Sequence, residues 1–259
     1  FAAALLLPSV ALAQQSVPRG SSEKPAARQS IAGMKTYYEP EKVEADTRAL
    51  VRFEPDGTSP VLLGSDNALA RGVPHGLNIH VDKEGKAHLY HANNDATVHK
   101  TTLDGTIEWT RKWPAFMGNY KPTDVVALPG SENVIVADGY GSSMIHALKQ
   151  ADGIYAGKSW GGLGAAHGEL NCPHGITFDP RRNLLLAADR GNKRLEYFTL
   201  NGLYHSTVES PQITAPCNAD IWGDYVLVPN LDGLVLILDK ENNVVSVIEV
   251  GKLLGAQGS

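Results

Sequence analysis

Short stretches of alternating or apolar residues, each closed by a polar turn, recur along most of the chain, and residues 173–202 show the pattern best. Ile176 and Phe178 alternate with polar neighbours, a turn follows over Asp179–Asn183, and Leu184–Ala188 is a continuous apolar run. A polar turn over Asp189–Lys193 leads into the alternating stretch Arg194–Leu200 and an Asn201-Gly202 hairpin turn. Alternation predicts half-buried strands, and a short apolar run between turn residues predicts a fully buried one. Asn-Gly is the sequence of a tight hairpin. The segment therefore reads as consecutive strands in one small sheet.

The same order recurs at residues 74–105, 122–153 and, more weakly, 218–243, while residues 49–64 supply the outer strands of an earlier copy. Copies end in turns such as Asp56-Gly57, Asp104-Gly105, Asp152-Gly153 and Asn201-Gly202. The period of roughly 43–51 residues falls in the range of propeller blades. The expected fold is all-β: a six-bladed β-propeller over residues 34–259, present as a fragment of about five blades with the C-terminal blade missing. Propellers close by pairing their first and last strands, and a five-blade ring stopping at Gly258-Ser259 leaves an edge exposed.

Composition narrows the class. With 259 residues, 42% of them hydrophobic, the chain can bury a substantial core of the size usual for one all-β domain. A net charge of −5 without a Lys/Arg cluster argues against nucleic acid as a partner. No later segment approaches 18 apolar residues, so no membrane span is expected in the mature form; a monomer is expected. Residues 1–13, FAAALLLPSVALA, match a secretory apolar region ending in Ala11-Leu12-Ala13, a truncated signal peptide cleaved before Gln14. An apolar N-terminal strand is the competing reading, disfavoured by the lack of polar alternation. Residues 14–33, rich in Ser, Pro and Gln, predict a disordered leader. The expected location is periplasmic or extracellular. There Cys172 and Cys217, the two cysteines, permit a disulfide between neighbouring blades, with two buried thiols as the alternative.

Candidate chemistry sits at the openings of the repeats. Pro74-His75-Gly76 and Pro173-His174-Gly175 begin two of them. A propeller carries the equivalent point of every blade to a central channel, so His75 and His174 could share a metal ion; histidines that merely cap a turn are the plainer reading. Thr123 to Asp138 and His174 to Asp189 each span 15 residues, and His75 to His91 spans 16. This places His91 where other blades carry Asp, as a possible additional site residue. Asp138 and Asp189 read as turn-stabilising. The Gly-rich stretch 157–171 reads as a connection covering one face, and without GxxxxGK[ST] it does not indicate phosphate binding.

Three phrases, VPHGLNI (73–79), KPTDVVALPGSENVIVADGY (121–140) and CPHGITFDPRRNLLLAADRGNKRLEYF (172–198), carry a more specific signal. The last resembles an NHL repeat. Together, in this order, they resemble the lyase domain of peptidylglycine α-amidating enzymes, the peptidyl-α-hydroxyglycine α-amidating lyase (peptidylamidoglycolate lyase). That resemblance implies a six-bladed NHL-type propeller with a catalytic zinc and a structural calcium. It implies His75 and His174 as two of three zinc histidines, Tyr140 as the catalytic tyrosine and Arg190 as an arginine near the substrate carboxylate. Leu77 falls where a backbone carbonyl binds calcium. The third zinc histidine of the family opens its last blade in a Pro-His-Asp phrase that does not occur in this sequence. A second family arginine has no counterpart beyond Arg48, Arg52 and Arg71 by proximity, and the cysteines differ in placement from the family's disulfides.

A catalytic zinc takes three protein ligands and keeps one position open, and imidazole also suits copper or iron. The resemblance is what favours zinc. Tyr140, with its ordinary pKa of about 10 lowered, would take the substrate hydroxyl proton. Arg190 would hold a carboxylate with a bidentate fork. The expected function is a secreted, metal-dependent lyase that cleaves the C–N bond of a small or peptide-derived α-hydroxyglycine carrying a carboxylate, giving an amide and glyoxylate. The main alternative is a non-catalytic NHL propeller binding a protein or glycan. A calcium-dependent lactonase-like hydrolase is disfavoured because no set of channel carboxylates is evident.

Overall fold

The computed structural model describes residues 12–14, 50–52, 61–63, 69, 73–112 and 118–253. The signal-peptide and leader expectations fall on residues outside this set except for Leu12–Gln14, as do Arg48 and Arg71. The described chain is all-β, built from small antiparallel sheets in sequence order. A leading three-stranded sheet contains β1 (Leu12–Gln14), β2 (Leu50–Arg52) and β3 (Val61–Leu63). Blade 1 follows with β4 (Pro74–Val81), β5 (Ala87–Asn93), β6 (Thr97–Thr102) and β7 (Ile107–Lys112). Blade 2 holds β8 (Asp124–Ala127), β9 (Asn133–Asp138), β10 (Met144–Lys149) and β11 (Tyr155–Gly161). In blade 3 come β12 (Pro173–Asp179), β13 (Leu184–Asp189), β14 (Arg194–Phe198) and β15 (Tyr204–Val208). Blade 4 comprises β16 (Asp220–Trp222), β17 (Tyr225–Pro229), β18 (Leu234–Leu238) and β19 (Val244–Glu249), and one helical turn, Val250–Leu253, follows.

The strand boundaries track the sequence pattern closely. The run Leu184–Ala188 becomes β13, and the alternating stretch ends as β14 at Phe198 because Thr199 turns back to accept from Gly202 and donate to Leu203. The cores lie between sheets, as stacking blades require. Tyr90, Val98 and Trp109 of blade 1 pack on Val125, Val134 and Val136 of blade 2. Ile135 and Ile145 of blade 2 meet Ile176, Leu185 and Phe198 of blade 3, and Leu186, Leu195 and Tyr197 of blade 3 meet Val226, Val228 and Leu236 of blade 4. At about 25 cal/mol per Å² of apolar surface, these interfaces hold each blade to its neighbours. The first strands β4, β8 and β12 lie side by side, which brings the openings of successive repeats together. Among the described residues no helix is long and apolar enough to cross a membrane.

Candidate active site

The two Pro-His-Gly phrases form the same local irregularity. In β4, Pro74 pairs with Asn93 and Leu77 with His91; in β12, Pro173 pairs with Asp189 and Gly175 with Ala188. Each strand thus carries one extra residue at its histidine. Such a bulge bends a strand and re-aims a side chain. The glycine that follows is required by its neighbour. A Cβ on Gly76 would lie 2.5 Å from Asp124 Cα, and one on Gly175 would lie 2.6 Å from Asn218 Cα. With no side chain in the way, the next blade presents a carbonyl to each imidazole. His75 Nδ1 donates to the Thr123 carbonyl at 2.6 Å, and His174 Nδ1 donates to the Cys217 carbonyl at 2.8 Å.

Those carbonyls set the tautomer. A carbonyl only accepts, so each Nδ1 carries the proton and each Nε2 keeps its lone pair. Both lone pairs point at one atom. Tyr140 Oη lies 3.0 Å from His174 Nε2 and 3.4 Å from His75 Nε2. The imidazole centroids are 4.6 Å apart, and the tyrosine ring meets both edge-on. Arg190 Nη1 donates to Tyr140 Oη at 3.4 Å, with the guanidinium carbon 5.3 Å from the ring centroid. The structure therefore brings together His75, His174, Tyr140 and Arg190.

Turn chemistry holds these groups in place. Asp138 accepts from the Lys121 backbone at 2.6 Å and from Ser142 at 2.7 and 2.6 Å, fixing the turn that carries Tyr140. Asp189 does the same beside Arg190, accepting from the Asn171 backbone, Asn192 and Arg194. Arg194, buried against Asp189 and Glu196, also donates to the carbonyls of Ala165, Ala166 and Glu169, tying down the Gly-rich connection. The aspartates are structural, as the sequence implies.

His91 is not part of this group. It is buried in β5 and bonded to Thr101 at 2.9 Å, opposite His99 in the ladder. The blade-1 equivalent of Asp138 and Asp189 is Asn93, whose Oδ1 accepts from the Val73 backbone. Blade 1 has longer strands joined by the Asp82–Lys86 turn, so counting residues from His75 stops short of the true equivalent. Leu77 packs its side chain on Leu50, Leu63 and Leu89. Arg52 is an exposed residue of β2. Cys172 and Cys217 are free, half-buried thiols. Sequence reasoning missed that Cys172 touches the site: Arg190 Nη2 lies 3.3 Å from its sulfur, and its backbone takes the left-handed conformation at φ 58°. Thr123 and Asp124 were missed too, although Pro122-Thr123-Asp124 stands at the Pro-His-Gly position of blade 2.

Burial shapes the charges. It lowers the His75 pKa against the opposing bond to Thr123, with Arg190 adding to the fall. It lowers His174 to about 4, opposed by the Cys217 carbonyl and assisted by Arg190 and His75. Both rings are therefore neutral near pH 7. Burial works against the Arg190 cation, but its bonds to Tyr140 and Cys172 outweigh that and raise its pKa. Asp124, fully enclosed, is pushed up to about 7 by burial, against hydrogen bonds from the Ile176 and Val125 backbone.

Two neutral imidazoles with Nδ1 committed to carbonyls and Nε2 aimed at a common point have the second-shell arrangement of metal-binding histidines. With the Tyr140 oxygen between them, the donors are nitrogen-rich and suit zinc better than a hard cation. Among the described residues no set of three His, Cys, Asp or Glu side chains could hold a metal ion. The side chains that could face such an ion are His75 and His174, with the Tyr140 oxygen beside them.

No family model matches the chain, and no curated protein matches it. Solved structures do. A protein of unknown function from Bacteroides caccae is 14% identical at TM-score 0.53, over 78% of this chain and 69% of its own. A streptogramin B lyase is 14% identical at TM-score 0.52, over 77% of this chain and 61% of its own. A catalytically inactive virginiamycin B lyase from Staphylococcus aureus with quinupristin is 15% identical at TM-score 0.52, over 78% of this chain and 62% of its own. The chain spans less than two thirds of either lyase. At these identities the likeness is one of fold, a β-propeller of four-stranded antiparallel blades.

Proposed function

We propose that this chain is an exported, metal-dependent, lyase-like propeller that cleaves the C–N bond of a peptidyl-α-hydroxyglycine-type substrate to an amide and glyoxylate. The observation that supports it is the convergence of two imidazole Nε2 atoms and one guanidinium on Tyr140 Oη. His75 and His174 would hold a zinc ion, whose Lewis acidity makes a substrate hydroxyl proton easier to remove. Tyr140, held beside Arg190, is the group that takes that proton. The carbon–oxygen double bond of the aldehyde forms as the C–N bond breaks, the bonding pair leaves on nitrogen, and Tyr140 returns the proton there. Atoms and charge then balance without a redox partner. Arg190 uses two of its five N–H groups on Tyr140 and Cys172, leaving others for the substrate carboxylate.

The test is glyoxylate release from a synthetic peptidyl-α-hydroxyglycine by the zinc-loaded protein. Release above the uncatalysed rate, lost on chelation, supports the reading. A zinc-loaded, folded protein that releases none overturns it.

A further inference from the structure

Four blades open with equivalent triplets: Pro74-His75-Gly76, Pro122-Thr123-Asp124, Pro173-His174-Gly175 and Pro216-Cys217-Asn218. The equivalence is structural. The Thr123 and Cys217 carbonyls each receive the imidazole of the preceding blade, and Asp124 and Asn218 each abut that blade's glycine. Blade 2 therefore puts a threonine hydroxyl between two blades that carry histidines. Thr123 is 1% exposed, out of reach of substrate.

Its bonds lead to three different site residues. The hydroxyl donates to the Pro173 carbonyl at 2.9 Å, next to His174. It accepts from the Gly139 N–H at 3.3 Å, next to Tyr140. The Thr123 carbonyl receives His75 Nδ1. A second strut runs from the neighbouring residue, whose Oδ2 accepts from the Ile176 N–H at 2.9 Å. The Oγ1 atom also lies 3.2 Å from the Ala137 carbonyl, so its single proton is shared within blade 2 as well.

We propose that Thr123 is the positioning residue of this site: its hydroxyl sets the distance between His174 and Tyr140, while its carbonyl fixes the ring of His75. The proposal rests on the reading that these three side chains act as one unit, and it assigns the coupling between them to a residue that touches no substrate. Thr123→Val keeps the shape and the backbone carbonyl but removes the hydroxyl. Thr123→Ser keeps the hydroxyl.

Imidazole nitrogen–proton NMR spectra of the metal-free protein read the outcome independently of catalysis. In Thr123→Val the His174 Nε2 and Tyr140 signals shift, His75 keeps its Nδ1-protonated tautomer, and Thr123→Ser restores the wild-type pattern. Zinc titration gives the second readout: affinity falls in Thr123→Val, by less than the roughly 10- to 100-fold for loss of an outer-shell partner because the carbonyl on His75 stays, and recovers in Thr123→Ser. Should the valine variant not fold, Thr123→Ala removes the same hydroxyl without the branched methyl groups. Unchanged His174 and Tyr140 signals in a folded variant lacking the hydroxyl overturn the proposal. So does a serine variant as perturbed as the valine one. If the wild type releases no glyoxylate, the lyase reading fails, but the spectra still decide the role of Thr123.

Discussion

Tyr140 Oη and His174 Nε2 are 3.0 Å apart, and the His174 ring is oriented so that the nitrogen can only accept. The tyrosine hydroxyl is the donor in this pair, and its oxygen also faces His75 and Arg190. Removing that oxygen removes the common point of the site. Tyr140→Phe is expected to lower kcat for glyoxylate release by about 10²- to 10⁴-fold, the range for a general acid–base group. The ring is 37% exposed, so the denaturation midpoint should barely move. A phenylalanine variant as active as wild type would remove Tyr140 from the chemistry.

His75 and His174 should behave as one metal site rather than two. Each supplies one Nε2, so either His75→Ala or His174→Ala should reduce bound zinc from about one per chain to near none after dialysis. Elemental analysis of the two purified variants checks this. Retention of zinc by both single variants would show that the metal sits elsewhere.

Arg190 distinguishes charge from shape. Lysine preserves the cation but not the planar fork. Arg190→Lys is expected to raise KM for a substrate with a free carboxylate at least tenfold, with a smaller change in kcat. A substrate analogue with that carboxylate amidated should show little difference between the two proteins. Equal KM effects on both substrates would place the guanidinium away from the carboxylate.

Much of this was readable in the chain because it is local. Strands such as β13 follow from an apolar run between turn residues, and Pro-His-Gly repeats at matching points of two blades. Failure came where blade lengths differ or where blades touch. Spacing offers His91 as a possible additional site residue because the longer β4–β5 hairpin shifts the register, whereas Asn93 takes the capping position. The reason for Gly76 and Gly175 lies in backbone of the next blade, dozens of residues away. The role of Thr123, which bonds to groups of blades 1, 2 and 3, exists only once three blades are stacked. Spacing within a repeat carries none of that information.

Gly175 gives a packing test of the same geometry. An alanine Cβ would lie 2.6 Å from Asn218 Cα and 2.4 Å from Asn218 Oδ1, so blade 4 must move away. Overpacking of this kind costs about 1–3 kcal/mol. The shift also withdraws the Cys217 carbonyl from His174 Nδ1. Gly175→Ala should therefore lose both stability and zinc affinity, read by urea denaturation and zinc titration. Full retention of both would mean that the blades are not held this close in solution.

Asp124 makes stability depend on pH in a direction opposite to most carboxylates. Its folded pKa of about 7 lies above the ordinary aspartate value because burial penalises the anion more than the Ile176 and Val125 N–H groups support it. The folded state therefore holds the proton more tightly than the unfolded chain. The resulting stability is fully present below the unfolded pKa of about 3.9 and is lost as pH rises through about 7. Asp124→Asn keeps an acceptor for the Ile176 N–H and cannot ionise. In chelator-treated protein, the wild-type urea midpoint should fall between pH 5 and pH 8 relative to the asparagine variant, which should be the more stable of the two at pH 8. Parallel midpoints across that range would mean that this carboxyl titrates normally and that water reaches it between β4 and β12.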